Sequence, residues 1–288
     1  MDFLAALCQV RPSLGDLGRN LALHEEWIAR ARAEKADLIL FPELSLSGYF
    51  LRDLTQDLAL RLDDPRVVRL VALSAGCSLV FGLVEESEDH RFFNTAVFAE
   101  EGRILHVHRK VFLPDYGIFE EGRYFASGDR LEVVRSRLGT FGLLVCEDAW
   151  HLEAGWLQFL QGAGALLIPS AAPARGVDTE ESQLSSQTAW RTLNAAQALF
   201  FQAWVLHCNR VGFEDGALFW GGSSVFTPFG YPAAQAPGQE EHLLLQPIQD
   251  DPARRARIFT PLLRDARPDL VRVHLARLLA DPDAMEKE

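Results

Sequence analysis

Three reactive side chains each follow a segment that has the character of a strand: two of these segments are apolar throughout, and the one before Lys110 alternates apolar and polar residues. Cys146 follows residues 141–145, Glu43 follows residues 37–41 and Pro42, and Lys110 follows residues 103–109. The carboxyl ends of strands are where open α/β folds keep their sites. We therefore expect these side chains to reach a common place.

The chemistry of the three side chains is complementary. A free thiol has a pKa of about 8.5 and needs a base or a cation to become a nucleophile. Glu43 could take the thiol proton and later activate water, and Lys110 could stabilise the negative oxygen formed by attack on a carbonyl or nitrile carbon. Taken singly, each residue also fits a structural role: a buried cysteine, a paired glutamate or a solvated lysine.

The sequence around these residues resembles a known family. The three segments resemble, in order and separation, the signature boxes of the nitrilase (carbon–nitrogen hydrolase) superfamily: Phe41-Pro42-Glu43-Leu44, Arg109-Lys110-Val111-Phe112-Leu113-Pro114 and Val145-Cys146-Glu147-Asp148. The resemblance covers about residues 3 to 230. It implies an α/β fold, the α-β-β-α sandwich. It also implies a Glu-Lys-Cys triad that cleaves non-peptide C–N bonds through a thioester, without a metal or organic cofactor.

A narrower resemblance is to the glutaminase domain of glutamine-dependent NAD synthetases. It lies in residues 48–54, 113–125, 146–150, 209–216 and 221–223. It implies that Glu121 supports the triad, with Glu120 as the competing position. It further implies that the substrate is contacted by five residues: Tyr49, Tyr116, Glu147, Ser170 and Arg175. Carboxylates suit an amino acid's ammonium and arginine suits its carboxylate.

The chain departs from these synthetases in two ways. It ends where the ammonia-consuming synthetase domain would begin, and it has no glycine-rich phosphate loop. Residues 169–175 also match the glutaminase segment only loosely. The sequence is therefore compatible with a glutaminase that feeds a separate synthetase, or with a hydrolase of another linear amide, such as an omega-amide or a carbamoyl amine.

Charge and composition narrow the function classes. The net charge of −12 argues against nucleic acid as a partner. No apolar run approaches the roughly 20 residues that span a bilayer, and the N-terminus lacks a signal-peptide pattern. The four cysteines lack a disulfide or CxxC pattern. We expect a cytoplasmic protein with core thiols.

The remaining elements alternate between strands and helices. Helices are predicted at about residues 20–35, 64–75, 155–161 and 185–203, the last with an apolar stripe at residues 189, 193, 196, 200 and 203. Residues 1–262 are predicted to form the hydrolase domain. Residues 263–288 are predicted to form a helical tail that packs on the body or on a second subunit, and the resemblance implies a homodimer or higher oligomer.

Histidines offer competing interpretations. His151 or His207 could pair with Cys146 in another type of thiol hydrolase, although nothing in the sequence orders such a pair. His106 and His108 share one face of a strand, as metal ligands do, but no third ligand is evident, and we interpret them as residues of a polar face. A binding protein without catalysis would require the loss of a triad residue, and all three are present.

Overall fold

The computed structural model describes residues 1–176 and 184–280. Its strands are β1 Asp2–Gln9, β2 Leu38–Leu40, β3 Ser78–Glu86, β4 Phe92–Glu100, β5 Arg103–Arg109, β6 Val134–Ser136, β7 Gly139–Leu143, β8 Ala165–Ser170, β9 Trp204–Asn209, β10 Val211–Glu214, β11 Ala217–Trp220, β12 Ser224–Phe226, β13 Pro232–Gln235 and β14 His242–Gln249. Its α-helices are α1 Leu17–Ala33, α2 Thr55–Leu58, α3 Pro65–Ala72, α4 Glu121–Tyr124, α5 Leu152–Leu160, α6 Ser185–Phe201, α7 Asp250–Phe259 and α8 Pro268–Leu279. Short 3-10 helices cover Arg52–Leu54 and Cys146–Trp150.

Two mixed sheets pack face to face. The first has the order β14-β1-β2-β3-β4-β5 and the second has the order β13-β12-β9-β8-β7-β6. Strands β1, β2 and β3 run parallel, as do β7, β8 and β9. Apolar side chains from both sheets, such as Leu40 and Leu167, share one buried cluster.

Helices cover the outer faces of both sheets. Trp27 and Ile28 of α1 and Val67 of α3 pack with the outer face of the first sheet, while Ala198 of α6 and Phe159 of α5 pack with the second. The predicted α-β-β-α sandwich is confirmed. The sandwich aligns the ends of β2 and β7, which precede Glu43 and Cys146.

Local sequence explains where the helices begin. Asp16 caps α1 by accepting a hydrogen bond from the backbone N–H of Arg19 at 2.9 Å, and Asp64 caps α3, whose first residue is Pro65. Both arrangements satisfy backbone donors that a helix leaves free at its N-terminus. The predicted helices at residues 20–35 and 64–75 therefore exist, with shifted ends.

Strand β14 is not among the elements predicted from the sequence. This strand pairs antiparallel with β1 along its whole length, from Asp2 opposite Gln249 to Gln9 opposite His242. Pro247 obscures the strand because proline is unfavourable inside a sheet. It is tolerated here because β14 lies at the sheet edge.

The predicted stripe on α6 is wrong in part. Phe200 is 60% exposed, whereas Trp190, Asn194 and Gln197 are buried. The helix therefore buries a face that carries amides, offset from the one chosen by apolar periodicity.

The polar-face interpretation of His108 is also wrong. Its side chain is buried, and its Nε2 lies 2.8 Å from Asp148, so it faces the second sheet rather than solvent.

The predicted tail at residues 263–288 is described only as far as residue 280, and residues 281–288 lie outside the described part. Leu263 packs against the main core, but α8 has no buried residue. Its apolar side chains are open, with Leu275 51% and Leu279 71% exposed. Among residues 1–176 and 184–280, no segment covers the apolar surface of this helix.

Candidate active site

Glu43 is fixed by donors from both sheets. It follows β2 and is 1% exposed. Its Oε1 accepts hydrogen bonds from Asn94 Nδ2 at 2.8 Å and Lys110 Nζ at 2.7 Å, and its Oε2 accepts one from the backbone N–H of Ala171 at 2.8 Å. Asn94 belongs to β4 of the first sheet and Ala171 directly follows β8 of the second. The carboxylate thus has a single orientation.

Gly82 leaves space for the turn that carries Glu43. A β-carbon at this position would collide with the backbone N of Leu44. Leu44 itself has a φ of +46°, a conformation that side chains disfavour. The close approach of β3 to this turn therefore requires glycine.

Lys110 lies between two carboxylates. Its backbone N–H donates to the carbonyl of Asn94 at 2.8 Å, and its fully buried Nζ donates to Glu43 at 2.7 Å and to Glu121 Oε1 at 2.6 Å. Burial alone would lower the pKa of Lys110, but the negative charges of Glu121 and Glu43 outweigh it and hold that pKa well above its ordinary value. The lysine is therefore a fixed positive charge.

Glu121 opens α4 and is buried, whereas Glu120 is exposed. Glu121 Oε1 also accepts a hydrogen bond from the hydroxyl of Tyr49 at 2.5 Å, and Glu121 Oε2 has no hydrogen-bond partner among the described residues. Burial raises the pKa of Glu121 to about 7, against the opposing effect of Lys110. This carboxyl can change its protonation state at neutral pH.

Cys146 begins the 3-10 helix after β7 and has a φ of +48°. It is 9% exposed. Burial, together with the negative charge of Glu43, raises the pKa of the Cys146 thiol well above its ordinary value, while Lys110 opposes the shift. The resting thiol is therefore protonated, and its reaction requires a base that takes the proton during attack.

The residues expected to contact substrate fall into three places. Tyr116 and Glu147 meet near the surface, where the hydroxyl lies 3.0 and 2.9 Å from the two carboxylate oxygens, and the guanidinium of Arg175 lies 5.7 Å from the Tyr116 ring. Tyr49 lies deeper, against Glu121. Ser170 is fully buried at the end of β8, with its hydroxyl 3.5 Å from the carbonyl of Ile168.

A cavity of about 700 Å³ lies beside Tyr49 and Arg175, two of the residues expected to contact substrate. Tyr49 and Glu121 form part of its wall, and the hairpin of β10 and β11 contributes Phe213 and Leu218. Arg175 and Gly117 lie at its lining as well. The cavity therefore connects the Glu121 carboxyl with the loops that carry the surface residues.

Several positioning residues were missed by the sequence interpretation. Besides Asn94 and the backbone of Ala171, Glu214 accepts hydrogen bonds from the backbone N–H groups of Tyr49 and Phe50, each at 2.8 Å, and pairs with the buried Arg210. The sequence offered two signals: Asn94 among apolar strand residues, and the charged pair Arg210 and Glu214 beside a short hairpin. Neither indicates its partner, because the partners are distant in sequence.

The competing histidine interpretations find no support in the geometry. His207 is fully buried and stacks on Trp190 at 4.5 Å, and His151 stacks on Phe112 at 3.6 Å. In residues 1–176 and 184–280, both ring nitrogens of His207 lack a hydrogen-bond partner, His151 Nδ1 lies 3.6 Å from Glu153, and no group of three or more metal-ligating side chains occurs. Over the same residues, none of the helices has the length and apolar character to cross a bilayer.

The chain belongs to the carbon–nitrogen hydrolase family, whose sequence model matches residues 4–258. It is 30% identical over 261 residues to a glutamine-dependent NAD(+) synthetase of Thermotoga maritima, covering 90% of this chain and 44% of the relative. It is 28% identical over 275 residues to N-carbamoylputrescine amidase of Arabidopsis thaliana, covering 90% of this chain and 91% of the relative.

A solved carbon-nitrogen hydrolase from Helicobacter pylori G27 superposes with a TM-score of 0.83 at 27% identity, covering 96% of this chain and 99% of that one. The chain therefore spans less than half of the synthetase and nearly the whole of the amidase and of this neighbour. The predicted family and enzyme class are confirmed.

Proposed function

We propose that the protein is a thiol amidase in which Cys146 is the nucleophile, Glu43 the general base and Lys110 the stabiliser of the tetrahedral intermediate. Glu121 supports Lys110. The contact that carries this proposal is the position of the Lys110 ammonium, 2.7 Å from Glu43 and 2.6 Å from Glu121, where its charge also acts on the Cys146 thiol. No metal or organic cofactor takes part in the proposed steps.

The proposed reaction has two halves. Glu43 takes the thiol proton as sulfur attacks the amide carbon, and Lys110 stabilises the resulting oxyanion. The protonated Glu43 then gives its proton to the leaving nitrogen, so that the C–N bond breaks and a thioester remains. Water, deprotonated by Glu43, hydrolyses the thioester and regenerates the thiol.

We propose glutamine as the substrate, with release of ammonia. The support is the surface group, in which Glu147 and Tyr116 offer acceptors for an α-ammonium and Arg175 offers a cation for an α-carboxylate. The similarity to glutamine-dependent synthetases points the same way, and a separate ammonia-consuming synthetase is then a partner. The alternative substrate is another linear amide or a carbamoyl amine, which the similarity to N-carbamoylputrescine amidase favours.

Ammonia release from glutamine, asparagine, an omega-amide and N-carbamoylputrescine tests both candidates, each with wild type and Cys146→Ala. We expect turnover of glutamine that depends on Cys146. Turnover of another amide alone would replace the substrate and keep the triad, whereas unchanged activity of Cys146→Ala would refute the nucleophile. Arg175→Ala should raise the KM for glutamine and leave kcat nearly unchanged, with Arg103→Ala, at another exposed arginine, as the control.

We propose that the protein forms a homodimer through α5, α6 and α8. An apolar groove between α5 and α6 is lined by Leu152, Trp156, Phe200 and Leu262, and α8 of the same chain has its apolar side chains exposed. A second copy of the chain carries both the groove and the exposed apolar side of α8, so each copy can cover these surfaces of the other. Light scattering should give a dimer for wild type and a monomer for Phe200→Glu, while Val68→Glu on α3 should remain dimeric; a monomeric wild type would refute the interface.

We further propose a cytoplasmic location. All four cysteines are free and buried, which fits a reducing compartment. Fractionation of the native host would test it, and recovery in a membrane or secreted fraction would contradict it.

A further inference from the structure

Asp148 is a fully buried carboxylate that accepts four hydrogen bonds. Its Oδ1 accepts from the backbone N–H groups of Val111 and Phe112, both at 2.9 Å. Its Oδ2 accepts from the backbone N–H of Val145 at 3.0 Å and from His108 Nε2 at 2.8 Å. Its side chain is 0% exposed.

These donors surround two of the proposed triad residues. Val111 and Phe112 directly follow Lys110, and His108 precedes it by two residues, so three bonds hold the end of β5. Val145 directly precedes Cys146, so the fourth bond holds the end of β7. The first strand belongs to one sheet and the second to the other.

We propose that Asp148 is a positioning residue that sets the distance between Lys110 and Cys146 by joining the ends of these two strands. The inference rests on the proposed triad. Asp148 has no contact with Glu43 and takes no part in proton transfer. It holds Cys146 in its positive-φ conformation next to the lysine charge.

Both carboxylate oxygens must act as acceptors at this position, because three of the four partners are backbone N–H groups that can only donate. Val111 and Phe112 donate to Oδ1, and Val145 donates to Oδ2, which also lies 2.8 Å from His108 Nε2. An asparagine has the same shape, but its NH₂ group faces a backbone N–H donor in either orientation of the amide. Asp148→Asn therefore leaves at least one backbone N–H unpaired.

Glu100 offers a matched control. It is another buried carboxylate, 6% exposed, that links the two sheets by accepting hydrogen bonds from Ser78, Ser136 and the backbone N–H of Arg137. None of these partners adjoins a proposed triad residue. Glu100→Gln therefore disturbs a similar link between the sheets without touching the site.

The experiment compares Asp148→Asn, Glu100→Gln and wild type in three measurements: thermal midpoint, steady-state kinetics on the best amide of the panel, and the rate at which iodoacetamide alkylates Cys146, followed by peptide mass spectrometry. Displacement of reacting groups by about 1 Å costs on the order of 100-fold in rate. We expect Asp148→Asn to lose kcat by on the order of 30-fold or more with little change in KM, and to alkylate Cys146 more slowly. Glu100→Gln should retain both rates at a similar loss of thermal midpoint.

Equal losses of kcat and alkylation rate in Asp148→Asn and Glu100→Gln would show that Asp148 stabilises the fold without positioning the site. Unchanged rates in Asp148→Asn would overturn the proposal. If Asp148→Asn does not fold, His108→Leu removes a single donor and His108→Gln restores one. Only the leucine variant should then lose kcat. The alkylation rate needs no substrate, so an incorrect choice of amide does not affect it, while an active Cys146→Ala would refute the triad itself.

Discussion

Removal of the lysine charge leaves two carboxylates buried without compensation. In Lys110→Met, Glu43 keeps Asn94 and the backbone N–H of Ala171 as donors, and Glu121 keeps, in the part of the chain that the structure describes, only the hydroxyl of Tyr49. Breaking a buried ion pair by removal of one partner costs about 3–5 kcal/mol. For a chain near this size each kcal/mol lowers the thermal midpoint by about 2 °C, which gives an expected loss of about 6–10 °C.

The loss of unfolding free energy in Lys110→Met should depend on pH. The pKa of Glu121 is already about 7 in the presence of Lys110, and removal of the cation raises it further. When the pKa of a carboxyl is higher in the folded than in the unfolded state, the carboxyl does not change the free energy of unfolding at a pH below its unfolded-state pKa. As the pH rises from there towards the folded-state pKa, the carboxyl destabilises the fold increasingly. The pKa of Lys110 is raised, so the contribution of this lysine is fully present in wild type at neutral pH.

Urea unfolding of wild type, Lys110→Met, Glu121→Gln and the double variant at pH 5 and pH 8 measures these effects. We expect Lys110→Met to be destabilised more at pH 8 than at pH 5. The double variant should recover part of the lost free energy of unfolding, because it buries one carboxylate fewer. A loss below about 1 kcal/mol at pH 8, the level of an exposed ion pair, would refute the description of this lysine as a buried counter-ion.

Three further results are expected. The pKa of His207 is lowered by burial to about 3, so its neutral form stabilises the fold fully above pH 6.5 and progressively less towards pH 3; His207→Phe should gain about 2 kcal/mol relative to wild type between pH 7.5 and pH 5 in urea unfolding, and a constant difference would contradict this. Glu121 has a pKa of about 7, so kcat/KM should rise with pH through about 7 as its carboxylate forms, and an unaltered profile in Glu121→Gln would assign that step to another group. Asn94→Ala removes a donor from Glu43 and should lower kcat by about tenfold, since general-base catalysis is worth 10²–10⁴-fold; full activity would show that Lys110 and Ala171 suffice to hold the base.

Local sequence was sufficient to select three candidate side chains, and the family resemblance was needed to propose them as a triad. Glu43, Lys110 and Cys146 each follow a predicted strand, and in the structure Lys110 lies 2.7 Å from Glu43, with both charges acting on the Cys146 thiol. The predicted supporting role of Glu121 over Glu120 likewise agrees with its burial beside Lys110. These residues are recognisable because their roles depend on strand ends that short segments encode.

The remaining features depend on contacts between distant segments. Glu43 and Ala171 are separated by 128 positions, and no local pattern announces a backbone N–H as a partner. The buried face of α6 carries Asn194 and Gln197, which apolar periodicity assigns to solvent. Ser170 was implied by the glutaminase resemblance, and its complete burial at the end of β8 depends on the packing of distant segments.

The pairing of β1 with β14 has a consequence for how the chain is made. Strand β1 is synthesised first, yet its antiparallel neighbour consists of residues 242–249. Contacts of such large sequence separation form slowly, and an unpaired strand edge is a template for other chains. Nascent chains that have not reached β14 therefore present one open edge of β1 to chaperones or to one another until residues 242–249 have been synthesised.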